Sequence, residues 1–253
     1  VNKGKVQKKI KSIKVGDEIE RKWEAAMNPI EVHDLYFRYP GCDTNILHGL
    51  DLSLKTNEIL AVAGYSGCGK STLCHILAGI IPKTIRGRIQ GEVTLFGESI
   101  FDMQTPRLAE KVGIVFQEPD NQLFSPTIEA EVAFGPENLC VKREIIGERI
   151  AAMLQLVGME EFRFETPNNL SGGQKQLIAL ASVLSMEPSV LLFDEALSQI
   201  DTRGREMIKA VMLRLREAGK SIIMVEHDFD NMDIADRILV LKHGRLIPYE
   251  GSL

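Results

Sequence analysis

An α/β fold built on a mostly parallel sheet is predicted by three features of this 253-residue chain. Short apolar runs recur between longer segments of helical periodicity, the order expected when strands and helices alternate and the sheet is covered on both faces. One such run, residues 59–63, ends at a glycine-rich segment that opens directly into a helical pattern. Another, residues 190–193, ends in two adjacent carboxylates, Asp194 and Glu195. Both deliver polar groups at the C-terminal end of a buried strand, where open α/β sheets place their ligands.

Composition narrows the class by exclusion. At 44% hydrophobic and 26% charged, the chain is neither disordered, collagen-like nor a disulfide scaffold. Its length suits one large core, or a core plus a small subdomain. A membrane-spanning helix would need about 20 predominantly apolar residues, and uncharged stretches such as residues 176–186 fall well short. Cys42, Cys68, Cys74 and Cys140 form no CxxC pair, and the N-terminus carries no secretory signal, so a reduced cytosolic setting is expected. The formal net charge of -5 argues against a nucleic-acid partner, which calls for a basic face. Charge is uneven, however: residues 1–22 hold eight Lys/Arg against three Asp/Glu. The first residue is Val1, which suggests a processed chain or a fragment.

Taken in order, residues 1–27 form a Lys-rich lead with a loose apolar rhythm, a basic linker or tail. The alternative is a basic stripe facing an acidic lipid or partner surface. The folded domain is expected over residues 28–253. Residues 30–37 alternate apolar and polar side chains, as a half-buried strand does. Residues 50–54 read as a second strand and the continuous run 59–63 as a buried one. A helix is expected over 71–79, then strands over 92–96 and 112–116. Residues 118–136 read as loop because Pro119, Pro126 and Pro136 interrupt them. An amphipathic helix follows over 144–157, with Ile146, Ile150, Met153, Leu154 and Val157 on one face. Another helix opens at Ser171 and runs to 184. Strands over 190–193, 221–225 and 237–241 complete the pattern, with a helix over about 205–217 between the first two.

Gly64-Tyr65-Ser66-Gly67-Cys68-Gly69-Lys70-Ser71 fits G-x-x-x-x-G-K-[ST] between an apolar run and a helix, the context a phosphate-binding loop requires. The four fixed positions match by chance in roughly one chain of this length in a hundred. Glycines permit the tight turn that lets successive N–H groups converge on phosphate oxygens, beside the positive end of the following helix. Ser66, Gly67, Cys68, Gly69, Lys70, Ser71 and Thr72 are therefore candidate nucleotide binders. Lys70 is suited to the β- and γ-phosphates and the Ser71 hydroxyl to Mg²⁺. Asp194 is a second Mg²⁺ candidate, and Glu195, one residue beyond, can polarise an attacking water. These features are the ones expected of a P-loop NTPase of any kind.

Leu170-Ser171-Gly172-Gly173-Gln174 narrows the class further. With this segment the sequence resembles the ATP-binding-cassette (ABC) ATPases, over about residues 30–250. The resemblance implies an α/β P-loop NTPase fold of the ABC-ATPase type, with a mostly parallel sheet core, an antiparallel β part and a helical subdomain inserted over about residues 118–170. It also implies that Ser171, Gly172, Gly173 and Gln174 open a helix facing the γ-phosphate held by another subunit's P-loop. The physical chemistry agrees: Ser171 is a good N-cap, the glycines allow close backbone approach and a helix N-terminus favours an anion. Tyr39 resembles the aromatic residue that stacks on adenine, a core tyrosine being the alternative. Gln117 resembles the glutamine that senses Mg²⁺ and γ-phosphate and couples to the transport partner. Ser198-Gln199-Ile200-Asp201 resembles the loop that crosses to the opposite subunit, and His227 the histidine that hydrogen-bonds the γ-phosphate. ATP and Mg²⁺ are the implied cofactors, with Ser71, Gln117 and Asp194 at the metal and Glu195, His227 and Gln117 in catalysis.

Residues 112–138 resemble more narrowly the ATPase subunits of energy-coupling-factor transporters, including cobalt and vitamin importers, as does the stretch from Ile81-Pro82 to Gly91-Glu92-Val93. That implies ATP hydrolysis in a head-to-tail pair with a second ABC ATPase subunit or domain, identical or not. It also implies a peripheral position on the cytoplasmic face of the membrane, against an integral membrane transporter subunit. Leu123, Phe124 and Phe134 are candidates for the docking surface, or else they pack the helical subdomain. Some positions depart from the family pattern. Ala196-Leu197 stands where Pro-Thr is usual, Leu177 and Ser182 where arginines are common, and Glu226 where Thr or Ser precedes the histidine. The Lys-rich start and the end soon after Gly244-Arg245 suggest one cassette excised from a longer or tandem polypeptide. A soluble ABC ATPase of translation or repair type is the alternative, although no sustained heptads separate Lys70 from Ser171 as a coiled-coil repair ATPase would need.

Overall fold

The structure, a computed structural model, describes residues 28–198 and 200–251. The basic lead over 1–27 and Gln199 lie outside the described residues. The chain runs β1 (Ile30–Arg38), β2 (Leu47–Leu54), β3 (Ile59–Ala63), α1 (Lys70–Leu77), α2 (Ile80–Lys83), β4 (Arg88–Leu95), β5 (Glu98–Ser99), α3 (Thr105–Lys111) and β6 (Val112–Val115). It continues through α4 (Ile128–Asn138), α5 (Arg143–Val157), α6 (Gly172–Leu184), β7 (Val190–Asp194), α7 (Thr202–Glu217), β8 (Ser221–Glu226), β9 (Arg237–Lys242) and β10 (Arg245–Pro248).

Two sheets result. One is antiparallel, in the order β2-β1-β4-β5; the other has six strands in the order β10-β9-β3-β8-β7-β6. Strands β9, β3, β8, β7 and β6 are parallel, and β10 folds back antiparallel on β9. The α/β class with a parallel core and an antiparallel part is thus the one expected.

Side chains alternate across a strand, so each parallel strand feeds two cores. Ile59, Ala61, Leu191, Phe193, Ile222 and Met224 face one apolar cluster, which α4, α5, α6 and α7 cover. Leu60, Val62, Leu192, Ile223 and Val225 face the other, which α1 and the antiparallel sheet cover. Each such fully buried aliphatic side chain contributes about 1.5–3 kcal/mol. The sheet is sealed on both sides and offers polar groups only at its ends.

The three prolines of residues 118–136 do not make that stretch a loop. Pro119 starts a single 3₁₀ turn, Pro119–Asn121, and Pro126 precedes the helix α4 rather than entering it. Thr127 caps α4, its Oγ1 accepting the Ala130 N–H at 3.2 Å. Pro136 lies late in the helix, where it removes one N–H from the ladder while Ile128 and Val132 stay buried in the core. Helix α7 likewise begins three residues before the expected 205, because Asp201 Oδ1 accepts the Gly204 N–H at 2.8 Å. Strand β2 reaches back to Leu47 and β4 to Arg88, since both pair with β1 to its end (Leu47 with Phe37, Arg88 with Arg38). Among the described residues no helix is long and apolar enough to cross a membrane.

Candidate functional site

Four parallel strands bring polar residues to one edge of the sheet. Ala63 sits opposite Glu226, Asp194 opposite Val225 and Val115 opposite Phe193. The loop after β3, the acids at the end of β7, His227 after β8 and Gln117 after β6 therefore leave the sheet side by side. The loop 64–69 needs its glycines. Gly67 and Gly69 have φ of 78° and 110°, and a Cβ on Gly64 would lie 2.7 Å from Cys68 Sγ and 2.8 Å from the Leu241 carbonyl.

Lys70, 3% exposed, donates through Nζ to the carbonyls of Gly64 (2.8 Å) and Tyr65 (3.0 Å) and lies 3.0 Å from Glu195 Oε1. The other Glu195 oxygen is 3.2 Å from His227 Nδ1. Ser71 Oγ donates to Asp194 Oδ1 at 2.8 Å. Gln117 Nε2 donates to Ser198 Oγ at 3.3 Å, and that hydroxyl donates to the Glu195 carbonyl at 2.8 Å. Glu195 itself has φ of 50°, unusual for a residue with a side chain. Tyr65, Ser66, Gln117, Glu195 and His227 line a cleft of about 430 Å³. At the far end of the loop, Tyr39 shares a hydrogen bond of 3.0 Å with Thr72 Oγ1 and sets its ring edge-on to Phe37. It borders a hollow shared with Arg38, Arg86 and Arg88. Tyr39 is thus half-buried, neither free nor a closed core residue.

Burial raises the Asp194 carboxyl above its ordinary range, and the Ser71 hydrogen bond partly offsets this. Burial likewise pushes the Cys68 thiol up, against the nearby Lys70 charge. Among the described residues no cluster of three or more His, Cys, Asp or Glu side chains could hold a metal. Ser71 and Asp194 instead offer adjacent hard oxygen donors, the kind that hold Mg²⁺ while it keeps waters and phosphate oxygens as its other ligands. The residues fit that ion.

Ser171, Gly173, Gln174 and Asp201 are gathered elsewhere. They border a second hollow of about 330 Å³ with Met159 and Met207, and none of its lining residues borders the first cleft. Ser171 and Gln174 form a reciprocal cap: Gln174 N–H donates to Ser171 Oγ at 3.3 Å, and Ser171 N–H donates to Gln174 Oε1 at 2.9 Å. Gly172 follows as the first residue of α6. Leu177 and Ser182, at positions where the family resemblance leads one to expect arginines, need no charge partner: Leu177 is buried and Ser182 donates to the Ala179 carbonyl. On a third face Phe124 and Phe134, 66% and 46% exposed, meet edge-to-face beside a groove. Leu123 instead packs, half-buried, against the core.

Sequence reasoning passes over two residues beside the cleft. Glu226 stands out only as a departure before His227, and Asn231 not at all, yet both are buried and bonded to each other.

The chain matches the ABC transporter family over residues 47–198. It is 42% identical over 220 residues to putative ABC transporter ATP-binding proteins of Methanosarcina mazei and Methanosarcina acetivorans. That match covers 86% of this chain but spans only 38% and 34% of those two relatives. It is 40% identical over 219 residues to the energy-coupling factor transporter ATP-binding protein EcfA of Syntrophomonas wolfei, covering 86% of this chain and 78% of that one. Among solved structures, that of cbiO1 from Clostridium perfringens, part of the ABC transporter complex cbiONQ, matches with a TM-score of 0.78 and 33% identity over 87% of each chain.

Proposed function

The chain belongs to the ABC transporter family as one of its ATP-binding, ATP-hydrolysing domains, and we propose that it powers uptake through an energy-coupling-factor type transporter as half of a head-to-tail pair. One observation carries this reading. The loop with Lys70 and the helix opened by Ser171 border separate hollows of the same chain, so each chain offers two unlike half-sites and a second chain completes both.

In this reading Lys70 exchanges Glu195 for phosphate oxygens when ATP binds, and Tyr39 meets the base. Freed from Lys70, Glu195 turns its carboxylate to the attacking water and accepts its proton. His227 then holds the γ-phosphate, and Gln117, bonded to Ser198, reports its presence toward the groove beside Phe124 and Phe134. Mg²⁺, when bound at Ser71 and Asp194, supplies charge neutralisation on the β- and γ-phosphates. The Ser171 helix end of the second chain, identical or homologous, provides further N–H groups toward the γ-phosphate. Closing the pair pulls on the Phe124–Phe134 groove, where an integral membrane subunit docks on the cytoplasmic face of the membrane. The cargo class we assign, from the resemblance of residues 112–138 and the energy-coupling-factor relatives, is a vitamin or a metal ion.

Steady-state hydrolysis together with equilibrium ATP binding tests the assignment. Glu195→Gln should lower kcat by about 10²–10⁴, some 3–5 kcal/mol of barrier, with ATP affinity nearly intact, whereas Lys70→Ala should lose nucleotide binding. Near-normal turnover in the first, or unchanged affinity in the second, contradicts the reading.

A further inference from the structure

The turn that carries Glu195 is pinned to β8 at two points. The Glu195 N–H donates to the Val225 carbonyl at 3.0 Å, and the Leu197 N–H donates to Glu226 Oε1 at 3.3 Å. The second carboxylate oxygen of Glu226 accepts from Asn231 Nδ2 at 3.4 Å, and Asn231 Oδ1 accepts from Arg205 Nη1 at 3.5 Å. Asn231 belongs to the single 3₁₀ turn Phe229–Asn231 that follows His227. One side chain thus ties the turn after Asp194 to the turn after His227, and through Arg205 to helix α7.

Glu226 is 1% exposed, and the two donors it meets here are neutral, a backbone N–H and a carboxamide. Burying a carboxylate on such terms, close to a second carboxylate, works against stability. Meanwhile Glu195 holds a φ of 50°, a conformation that persists only when its surroundings over-determine it. The second pin adds to the constraint that the Val225 carbonyl and the Ser198 bonds to the Glu195 carbonyl supply. We propose that Glu226, bridged to Asn231, is a positioning residue for hydrolysis, holding the Glu195 turn against the segment that carries His227. The inference rests on Glu195 being the general base.

The test is ATP hydrolysis at a pH where Glu226 is ionised, with melting temperature followed in parallel. Glu226→Gln keeps the shape but presents an amide NH₂ to one of the two donors, so kcat should fall about tenfold with KM within about twofold. Adding Asn231→Asp restores the polarity of the bridge: the new amide donates to the new carboxylate, and Arg205 still faces an oxygen. That double variant should recover most of the lost kcat, whereas a role confined to stability would lower the melting temperature of Glu226→Gln and leave kcat of the folded enzyme unchanged. In a Glu195→Gln background, Glu226→Gln should cost no further activity, because the group it positions is gone. Should Glu226→Gln fail to fold, Asn231→Ala breaks the same bridge and should show the same loss of kcat. Wild-type kcat in a folded Glu226→Gln chain overturns the proposal, as does an equal loss in the presence and absence of Glu195. Full turnover of Glu195→Gln by itself removes the general base, and this inference falls with it. If Glu195→Gln is inactive while Glu226→Gln is not, only the positioning role fails.

Discussion

Glu226 titrates in a range where its effect on stability can be measured directly. Burial raises its carboxyl from 4.5 to about 7; hydrogen bonds from Asn231 and Leu197 oppose the shift and the Glu195 charge adds to it. The folded state therefore binds this proton more tightly than the unfolded state, so the contribution is greatest below 4.5 and is lost as pH rises through 7. A shift of that size corresponds to about 3 kcal/mol. Glu226→Gln cannot titrate, so its unfolding free energy relative to wild type should climb between pH 4.5 and 7 and then level off. A difference that stays constant across denaturation curves in that range would show that Glu226 is not buried as described. At this scale the sequence is legible where chemistry is written locally. Gly64 to Ser71, Asp194 with Glu195, and Leu170 to Gln174 are continuous patterns. The Lys70–Glu195 and Glu226–Leu197 contacts are not legible, because they join residues far apart in the chain that only strand order brings together.

Helices α6 and α7 meet where both have glycine. A Cβ on Gly204 would lie 2.5 Å from Ile200 Cγ2, 2.9 Å from Asp201 Oδ1 and 3.7 Å from Gly173 Cα. Alanine in place of a helical glycine ordinarily stabilises by about 0.5–1 kcal/mol. Here Gly204→Ala should instead destabilise by about 1–2 kcal/mol, because it displaces the Asp201 cap and the start of α6. Thermal unfolding decides the sign, and a raised melting temperature would refute this crossing. Element boundaries follow the same division between local and distant causes. Strand β3 reads directly as a buried apolar run. Helix α4 does not, since the prolines around it resemble breakers until Thr127 is seen as a cap. Helix α3 escapes notice because it buries only Leu108, and β5 and β10 are short edge strands that exist through pairing with β4 and β9.

The molecule as a whole carries two separate hollows on one chain, one beside the Gly64–Ser66 loop and one beside Ser171, which the proposed pairing treats as two unlike half-sites. The order of the motifs along the sequence points to the family, but no local pattern tells which motifs share a face. That depends on β3 lying between β8 and β9 and on α6 packing against α5 and α7. In the proposed pairing one nucleotide is enclosed by the P-loop of one chain and the capped helix of another. The most direct measurement is a structure of the Glu195→Gln protein trapped with ATP and Mg²⁺. It should show Ser171 of one chain within hydrogen-bond reach, about 3 Å, of the γ-phosphate held by Lys70 of its neighbour. A nucleotide-loaded assembly in which Ser171 faces solvent, or in which one chain closes around its ATP alone, would rule out the head-to-tail pairing.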